Sequence, residues 1–272
     1  MLEVHLSSQA GSATLAHLGA GPNDLATNAK GSLMATAIQT RKYKNRILAS
    51  LSAREISRLA PHLSPLSLPI RKSLLDPHEE IAYVYFLESG MASVVVEMLN
   101  GTTVETGITG SDGVVGFSFM LGIKSTLTRT FIQIAGAGYK IKAERLKEEF
   151  EKSGTLRKQI NLYIQAYLVL TSQTAACNRL HDIAERLARW LLMCRDRMES
   201  DTFSITHEFL GHMLGTPRST VSLAAGILHK AGLVDYSRGK VRIRDRKGLE
   251  KASCECYQTI RKEFDRLGIS SV

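Results

Sequence analysis

Apolar residues follow one spacing in the first half of the chain and another in the second. From Leu66 to Ala143 they form short runs rich in Val, Ile and Tyr that are separated by glycines. This spacing is typical of antiparallel strands, and Asn100-Gly101 between two runs predicts a hairpin turn. We therefore predict a small β-roll here. Before it, Asn45 is expected to cap a helix with an apolar stripe from Ile47 to Leu63.

A long helix is predicted after the roll, because apolar residues recur at alternating steps of four and three over about seven turns. Such a seam is typical of coiled-coil pairing with a second copy. The alternative is that the stripe packs on the roll, and Ile164, Leu168 and Val169 make it wide enough for both. The predicted dimer seam consists of Ile160, Tyr163, Tyr167, Leu170, Thr174 and Cys177.

Two short helices with a tight turn between them are predicted from Ser204 to Lys230. Gly215 separates them, Thr216 is the expected N-cap of the second helix and Pro217 its first residue. The inward positions of the second helix are small or β-branched, so the helices can cross closely. This pattern predicts a helix-turn-helix, with an ordinary helical hairpin as the alternative. Its outward face carries Arg218, Ser219 and Ser222.

An alternating ribbon follows the two helices, from Gly232 to Arg244. Val241 and Ile243 are expected to face inward, while Lys240 and Arg242 face outward. A basic hairpin at this place is typical of a wing that lies along phosphate groups. Residues 249–267 are predicted to form a final amphipathic helix.

The charge distribution supports a polyanionic partner. The 272-residue chain carries a net charge of +9. From Arg218 to Lys251, nine Lys and Arg stand against Asp235, Asp245 and Glu250, a local balance of +6. The excess begins on the second helix of the pair, where a DNA-binding surface would need it.

The sequence does not contain the residue spacings that a metal site or an enzyme active site would need. His207-Glu208 and His212 suggest a zinc protease, but its two histidines must be four residues apart and these are five apart. Cys254 and Cys256 fall two apart on a predicted helix and should point to opposite sides, so we predict no metal site. Catalytic triads and paired carboxylates are not apparent either, and no enzyme is predicted.

The sequence shows no targeting or membrane-spanning signal. Residues 1–42, rich in Ala, Gly, Ser and Thr, are predicted to be a flexible leader. They show no basic start followed by an apolar core, and no apolar run approaches a membrane span. Cys177 and Cys194 are expected to be buried, reduced thiols. The expected location is the cytoplasm, without a membrane partner.

The order of elements from Asn45 to Ala252 resembles that of the Crp/Fnr superfamily of bacterial transcription regulators. The segments that carry the resemblance are VYFLESGMASVVV with its hairpin, GSDGVVGFSFMLG, ERLARWLLM and LGTPRSTVSLAAGILHKAGLV. The resemblance implies an α+β fold with an N-terminal, jelly-roll-like antiparallel β-roll as sensory domain, a long dimerisation helix and a C-terminal winged helix-turn-helix. The predicted bounds are 43–152, 153–181 and 182–252, with residues 253–272 as a C-terminal helix and tail.

Members of this family often bind a cyclic nucleotide, through a Gly-Glu-Leu turn at the ribose and an Arg-Ser pair at the phosphate. Gly116 matches the glycine, but Phe117 replaces the glutamate, and Arg129 is displaced by one position. Thr171-Ser172 matches a pair that touches the adenine. Because a phenyl ring cannot accept a hydrogen bond from a ribose hydroxyl, no cofactor is predicted, and a cyclic nucleotide stays the alternative. The family's iron–sulfur cluster is excluded, since no cysteine precedes Cys177.

The resemblance further implies a homodimer that reads a palindrome in double-stranded DNA, with RNA polymerase as a further partner. Arg218 matches the recognition arginine and is expected to contact guanine O6 and N7. Ser219 and Leu223 stand where many members have glutamate and arginine, so the operator should differ. The predicted base contacts are Arg218, Ser219, Ser222 and Leu223, and the predicted phosphate contacts are Thr206, Thr220, Lys240 and Arg242.

Overall fold

The computed structural model describes residues 43–198, 200–237 and 239–269, so the predicted leader lies outside the described residues. The first elements are α1 (Arg46–Ala49), α2 (Ala53–Leu59) and a 3-10 turn (Ala60–His62). Asn45 caps α1 as predicted, accepting a hydrogen bond from the backbone N–H of Leu48. Ser52 and Glu55 then form a capping box. This second N-cap divides the expected single helix in two.

The predicted β-roll is present as two antiparallel sheets that share one core. Its strands are β1 (Ser64–Leu68), β2 (Ser73–Leu75), β3 (Tyr83–Leu87), β4 (Met91–Glu97), β5 (Thr103–Thr109), β6 (Arg129–Ile134) and β7 (Gly136–Lys142). One sheet has the order β1-β7-β3 and the other β2-β6-β4-β5. The shared core contains Leu68, Leu74, Leu87, Ala92, Val115 and Ile132. Gly101 has a φ of 78° in the β4–β5 turn, which confirms the predicted hairpin.

The roll continues into α3 (Ala143–Lys152) and then the long helix α4 (Gly154–Leu180). The hydroxyl of Ser153 accepts a hydrogen bond from the backbone N–H of Leu156 and donates one to Glu55. This bond ties the start of α4 to α2. Among the helices of the described residues, none is long and apolar enough to cross a membrane.

The apolar seam of α4 packs inside the chain. Its side chains are between 0% and 8% exposed, and the hydroxyl of Tyr163 lies 2.7 Å from that of Thr109 on β5. A Cβ added to Gly113 would lie 2.1 Å from the Tyr163 ring, so this glycine makes room for it. The residues predicted to face a second copy therefore face the core of their own chain, as the alternative interpretation has it. These residues are Ile160, Tyr163, Tyr167, Leu170, Thr174 and Cys177.

The exposed side of α4 carries a second repeat with steps of four and three residues. Leu168 is its large apolar member and is 55% exposed. The periodicity predicted that α4 has a packed stripe, but it did not tell which surface covers the stripe. The exposed repeat consists of Asn161, Gln165, Leu168, Ser172, Ala175 and Arg179.

The C-terminal half begins with α5 (Ile183–Met198), β8 (Thr202–Ser204), α6 (His207–Leu214), α7 (Arg218–Lys230), β9 (Val234–Ser237) and β10 (Lys240–Ile243). Strand β8 was not predicted, and it completes a sheet with the order β8-β10-β9. Pro217 is the N-cap of α7, with a ψ of 146°, and no side chain caps this end. The helix therefore starts one residue later than predicted, and Thr216 does not cap it.

The predicted final helix is broken in two, α8 (Arg246–Ala252) and α9 (Cys256–Arg266). Ser253 leaves the helical region with a ψ of 156°. Cys254 and Cys256 lie at this break rather than inside one helix, so the expectation that they point to opposite sides was wrong. Both are buried beside Cys177. Cys177 and Cys194 are buried free thiols, as predicted.

Candidate nucleic-acid interface

Helices α6 and α7 approach closely at the turn between them, where two glycines make room for the backbone. Gly215 ends α6 with a φ of 59°, a left-handed conformation that glycine adopts without strain. A Cβ added to Gly211 would lie 2.8 Å from the carbonyl oxygen of Thr216. The buried side chains of the two helices are Leu210, Met213, Leu214, Val221, Ala224, Ala225 and Leu228.

The opposite side of α7 is open, and the predicted base-contact residues lie there together. Arg218, Ser219, Ser222 and Leu223 are exposed, and Leu223 is 72% exposed despite its apolar side chain. The hydroxyl of Ser222 donates to the carbonyl of Arg218 at 3.0 Å and lies 3.0 Å from His207 Nδ1. The position of Ser222 on this open side is therefore fixed by contacts with both helices.

The predicted phosphate contacts are less uniform. Lys240 and Arg242 are exposed on β10, whereas the alternate residues Val241 and Ile243 are buried, as the ribbon pattern predicted. Thr220 is half-buried on α7. The structure thus exposes two cations of the wing on one side of a three-stranded sheet.

Thr206, also a predicted phosphate contact, has a structural role because it caps α6. Its hydroxyl oxygen accepts a hydrogen bond from the backbone N–H of Phe209 at 3.2 Å. Its hydroxyl hydrogen is still able to donate to a phosphate oxygen.

The electrostatics of this surface are dominated by cations. Asp235, the acid of the wing, accepts a hydrogen bond from Arg244 and lies 3.6 Å from His229. Burial and the nearby positive charge of Arg218 lower the pKa of His207, so this imidazole is neutral at physiological pH. An arginine beside a neutral imidazole and a basic wing form a surface that attracts a polyanion.

The predicted effector site is only partly assembled. A cavity of about 180 Å³ in the roll includes Gly116, Phe117 and Thr171 in its lining. Arg129 lies outside it, 46% exposed and 3.3 Å from Asp76, and Ser172 lies on the exposed side of α4. The polar groups of the lining are hydroxyls, from Thr106, Thr109, Ser118, Thr126, Thr128, Thr130, Tyr167 and Thr171.

Residues 185–252 match the model of the Crp-like helix-turn-helix domain. The chain carries a Crp-like helix-turn-helix domain. This match covers α5 to α8, including the open face of α7 and the wing. It confirms the predicted resemblance at the segments ERLARWLLM and LGTPRSTVSLAAGILHKAGLV. No curated protein sequence matches the chain.

Solved structures of Crp/Fnr regulators share the fold around this Crp-like domain. A transcriptional regulator of the Crp/Fnr family from Eubacterium rectale is 18% identical, with a TM-score of 0.60 over 74% of this chain and 94% of that one. FixK2 from Bradyrhizobium japonicum is 17% identical, with a TM-score of 0.62 over 71% and 98%. The c-di-GMP responsive regulator CLP from Xanthomonas campestris is 19% identical, with a TM-score of 0.60 over 71% and 100%. At these identities the likeness shows the fold.

The Crp-like domain is joined to the roll by buried polar contacts that the sequence analysis missed. Trp190 Nε1 on α5 donates to Glu105 Oε1 on β5 at 2.7 Å. Arg197 Nη2, near the end of α5, lies 2.7 Å from Asp112 Oδ2 in the loop after β5, and both side chains are buried. Burial raises the pKa of Glu105 to about 7. Polar side chains that bond across 85 residues leave no periodic signal in the sequence.

Proposed function

We propose that this protein is a sequence-specific, DNA-binding transcription regulator that reads duplex DNA through α7. The observation that carries this proposal is the open face of α7, where Arg218 stands exposed beside a basic wing in a Crp-like domain. Helices of this kind insert into the major groove while the neighbouring elements hold the backbone. In this proposal residues 182–252 are the output unit and residues 43–152 the sensory unit of a cytoplasmic regulator that is not an enzyme.

Within the groove, each exposed side chain of α7 has one chemical role. Arg218 offers two parallel N–H donors, which match the O6 and N7 acceptors of a guanine. Ser219 can bond to a base edge or to phosphate. Ser222 donates its hydrogen to the carbonyl of Arg218, so its oxygen can accept from a base-edge amino group. Leu223 can only make an apolar contact, for which the methyl group of thymine is suited. Lys240 and Arg242 of the wing neutralise phosphates, which adds affinity without sequence preference.

Thr206 and Thr220 complete the proposed backbone contacts. Their hydroxyl groups donate to phosphate oxygens and so fix the register of the domain on the duplex. This assignment is compatible with the capping bond of Thr206, which uses its oxygen as an acceptor.

We further propose that the protein acts as a homodimer through the exposed repeat of α4. Leu168 lies in the middle of this repeat, with Gln165 and Ser172 one turn away on either side. Polar residues at such positions set the register of a helix pair, and the apolar side chain supplies the burial. A two-fold dimer would present two copies of α7 to successive major grooves of a palindrome, as expected for this fold. RNA polymerase stays an expected partner.

The roll cavity suits a small uncharged molecule better than a cyclic nucleotide. A cyclic phosphate needs a cation, and the cavity lining offers hydroxyl groups instead. Its volume of about 180 Å³ is also below the usual range of ligand sites. Regulation by a cyclic nucleotide remains the second candidate, because Thr171 of the adenine-contacting pair does line this cavity. A rise in melting temperature with millimolar cyclic AMP or cyclic GMP would favour it.

The proposed function is tested by selecting bound sequences from a random duplex library with the full-length protein. We expect enrichment of a palindrome whose half-sites are centred about one helical turn, or 10 base pairs, apart. A protein that enriches no sequence, while still binding DNA at low salt, would be a non-specific DNA binder and not the regulator proposed here.

A further inference from the structure

Four side chains with metal-binding atoms converge where the end of α4 meets the break between α8 and α9. Cys177 lies in the last turn of α4, and His181 is the C-cap of this helix, where its backbone N–H donates to the carbonyl of Cys177 at 3.2 Å. Cys254 and Cys256 approach from the break, and the ligand atoms of all four residues lie within 4.8 Å of one another. From the sequence, Cys177 was predicted to lie in a dimer seam, and no metal site was expected here.

Two of the distances between these atoms match those of a tetrahedral site. Cys177 Sγ lies 3.5 Å from Cys254 Sγ, and Cys256 Sγ lies 3.5 Å from His181 Nδ1. Zinc binds sulfur at about 2.3 Å and imidazole nitrogen at about 2.0–2.1 Å, which places tetrahedral ligands about 3.5–3.8 Å apart. A disulfide would require the sulfurs at about 2.05 Å. An iron–sulfur cluster would hold its ligands farther apart, since they bind different iron atoms.

The groups around the four side chains have the arrangement of an outer shell. Nε2 of His181 lies 3.1 Å from the carboxylate of Glu255, while Nδ1, the other ring nitrogen, lies 3.5 Å from Cys256 Sγ. Such a carboxylate fixes the tautomer of a metal-binding histidine. The amide of Gln173 donates to Cys256 Sγ at 3.2 Å, a bond that stabilises a thiolate.

Packing alone explains these features less well. Three buried thiols can simply fill an apolar core, where cysteine behaves as a small hydrophobic residue. That interpretation does not account for an imidazole nitrogen directed at the same sulfurs, nor for the polar partners Gln173 and Glu255. Together these contacts favour a bound cation.

We propose that Cys177, His181, Cys254 and Cys256 bind one zinc ion through three Sγ atoms and Nδ1. Four protein ligands close the coordination sphere, which is typical of structural rather than catalytic zinc. On binding, the cysteines are deprotonated and the imidazole stays neutral, so protons are released to solvent. The ion would link the end of α4 to the segment that follows the wing. This proposal does not depend on DNA binding.

The test is the metal content of the full-length protein, purified under reducing conditions with zinc in the medium and without a polyhistidine tag. We expect one zinc per chain by mass spectrometry of the metals. Cys254→Ser and Cys256→Ser should each reduce this stoichiometry to near zero. Cys194→Ala is the matched control, because Cys194 is buried but is not part of the cluster. It should retain the metal in full.

Because the serine variants can fail to fold, the unsubstituted protein is also stripped with a chelator and titrated with cobalt(II). We expect saturation at one equivalent, a thiolate charge-transfer band in the near ultraviolet and the intense visible bands of a tetrahedral complex. Zinc should displace these bands and raise the melting temperature. A folded, reduced protein that binds neither metal would overturn the proposal. A Cys177–Cys254 disulfide or an iron chromophore in the purified protein would overturn it as well.

Discussion

Glu105 is the side chain whose replacement should reveal most about how the roll and the Crp-like domain are coupled. It lies on β5, is 7% exposed, and accepts the indole hydrogen bond of Trp190 from α5. Burial raises its pKa from 4.5 to about 7. The native protein therefore holds a proton on Glu105 at pH values where the unfolded chain has already released it.

The sign and the size of the effect follow from this difference in pKa. Stability from Glu105 is fully present below pH 4.5 and is lost as the pH rises toward 7, because the native state binds the additional proton. A difference of 2.5 units corresponds to about 3 kcal/mol at 1.36 kcal/mol per unit. Glu105→Gln keeps an acceptor for Trp190 but has no proton to lose. Its free energy of unfolding, relative to the unsubstituted protein, should rise by about this amount between pH 4.5 and 8.

The assay is urea unfolding at half-unit steps of pH, followed by the fluorescence of the single tryptophan. Glu55→Gln serves as the control. Burial acts to raise the pKa of Glu55, but hydrogen bonds from Ser153 and Ser52 outweigh it and lower this pKa to about 2. The stability that Glu55 supplies is present above pH 4.5 and lost toward pH 2, so its variant should show no slope from pH 5 to 8. A Glu105→Gln difference that is constant over this range would refute the reasoning.

Three further predictions concern the core, the dimer and the wing. Asp112→Asn should lower the free energy of unfolding by about 3–5 kcal/mol in urea titrations, since it leaves a buried arginine unpaired. Leu168→Glu should convert the dimer to a monomer in sedimentation equilibrium, whereas Leu99→Glu, on the exposed hairpin, should not. If the Leu168→Glu variant is still a dimer, the exposed repeat of α4 is not the dimer interface. Lys240→Ala should reduce the slope of log K against log salt by about 1. Lys262→Ala, at an exposed position of α9 that is not among the proposed DNA contacts, should leave this slope unchanged. Equal slopes for both variants would show that Lys240 of the wing does not contact phosphate.

Local patterns predicted those elements whose signals lie within a few residues. The Asn100-Gly101 turn, the alternation around Val241 and the pair α6–α7 each depend on a short run of sequence, and each is present in the structure. Caps were harder to predict. Thr216 is the better N-cap by residue type, yet Pro217 occupies the N-cap position of α7 without a side-chain hydrogen bond.

What the sequence did not reveal depends on contacts between distant segments. The stripe of α4 was correctly expected to be covered, but only the folded chain shows that β5 and its neighbours cover it. The prediction assumed a continuous helix, which would direct Cys254 and Cys256 to opposite sides. In the structure the helix is interrupted at Ser253, which is extended, and both cysteines lie beside Cys177. The bond between Glu105 and Trp190 has no local pattern at all.

The central claim is that α7 reads bases, and Arg218 tests it most directly. The full-length protein, Arg218→Ala and Arg218→Lys are titrated by fluorescence anisotropy against the selected operator and a scrambled duplex at one salt concentration. The alanine variant should lose about 1–3 kcal/mol on the operator and far less on the scrambled duplex. The lysine variant should keep the non-specific affinity but lose the two-donor contact to guanine. An equal loss on both duplexes would contradict the account, because Arg218 would then contact only phosphate.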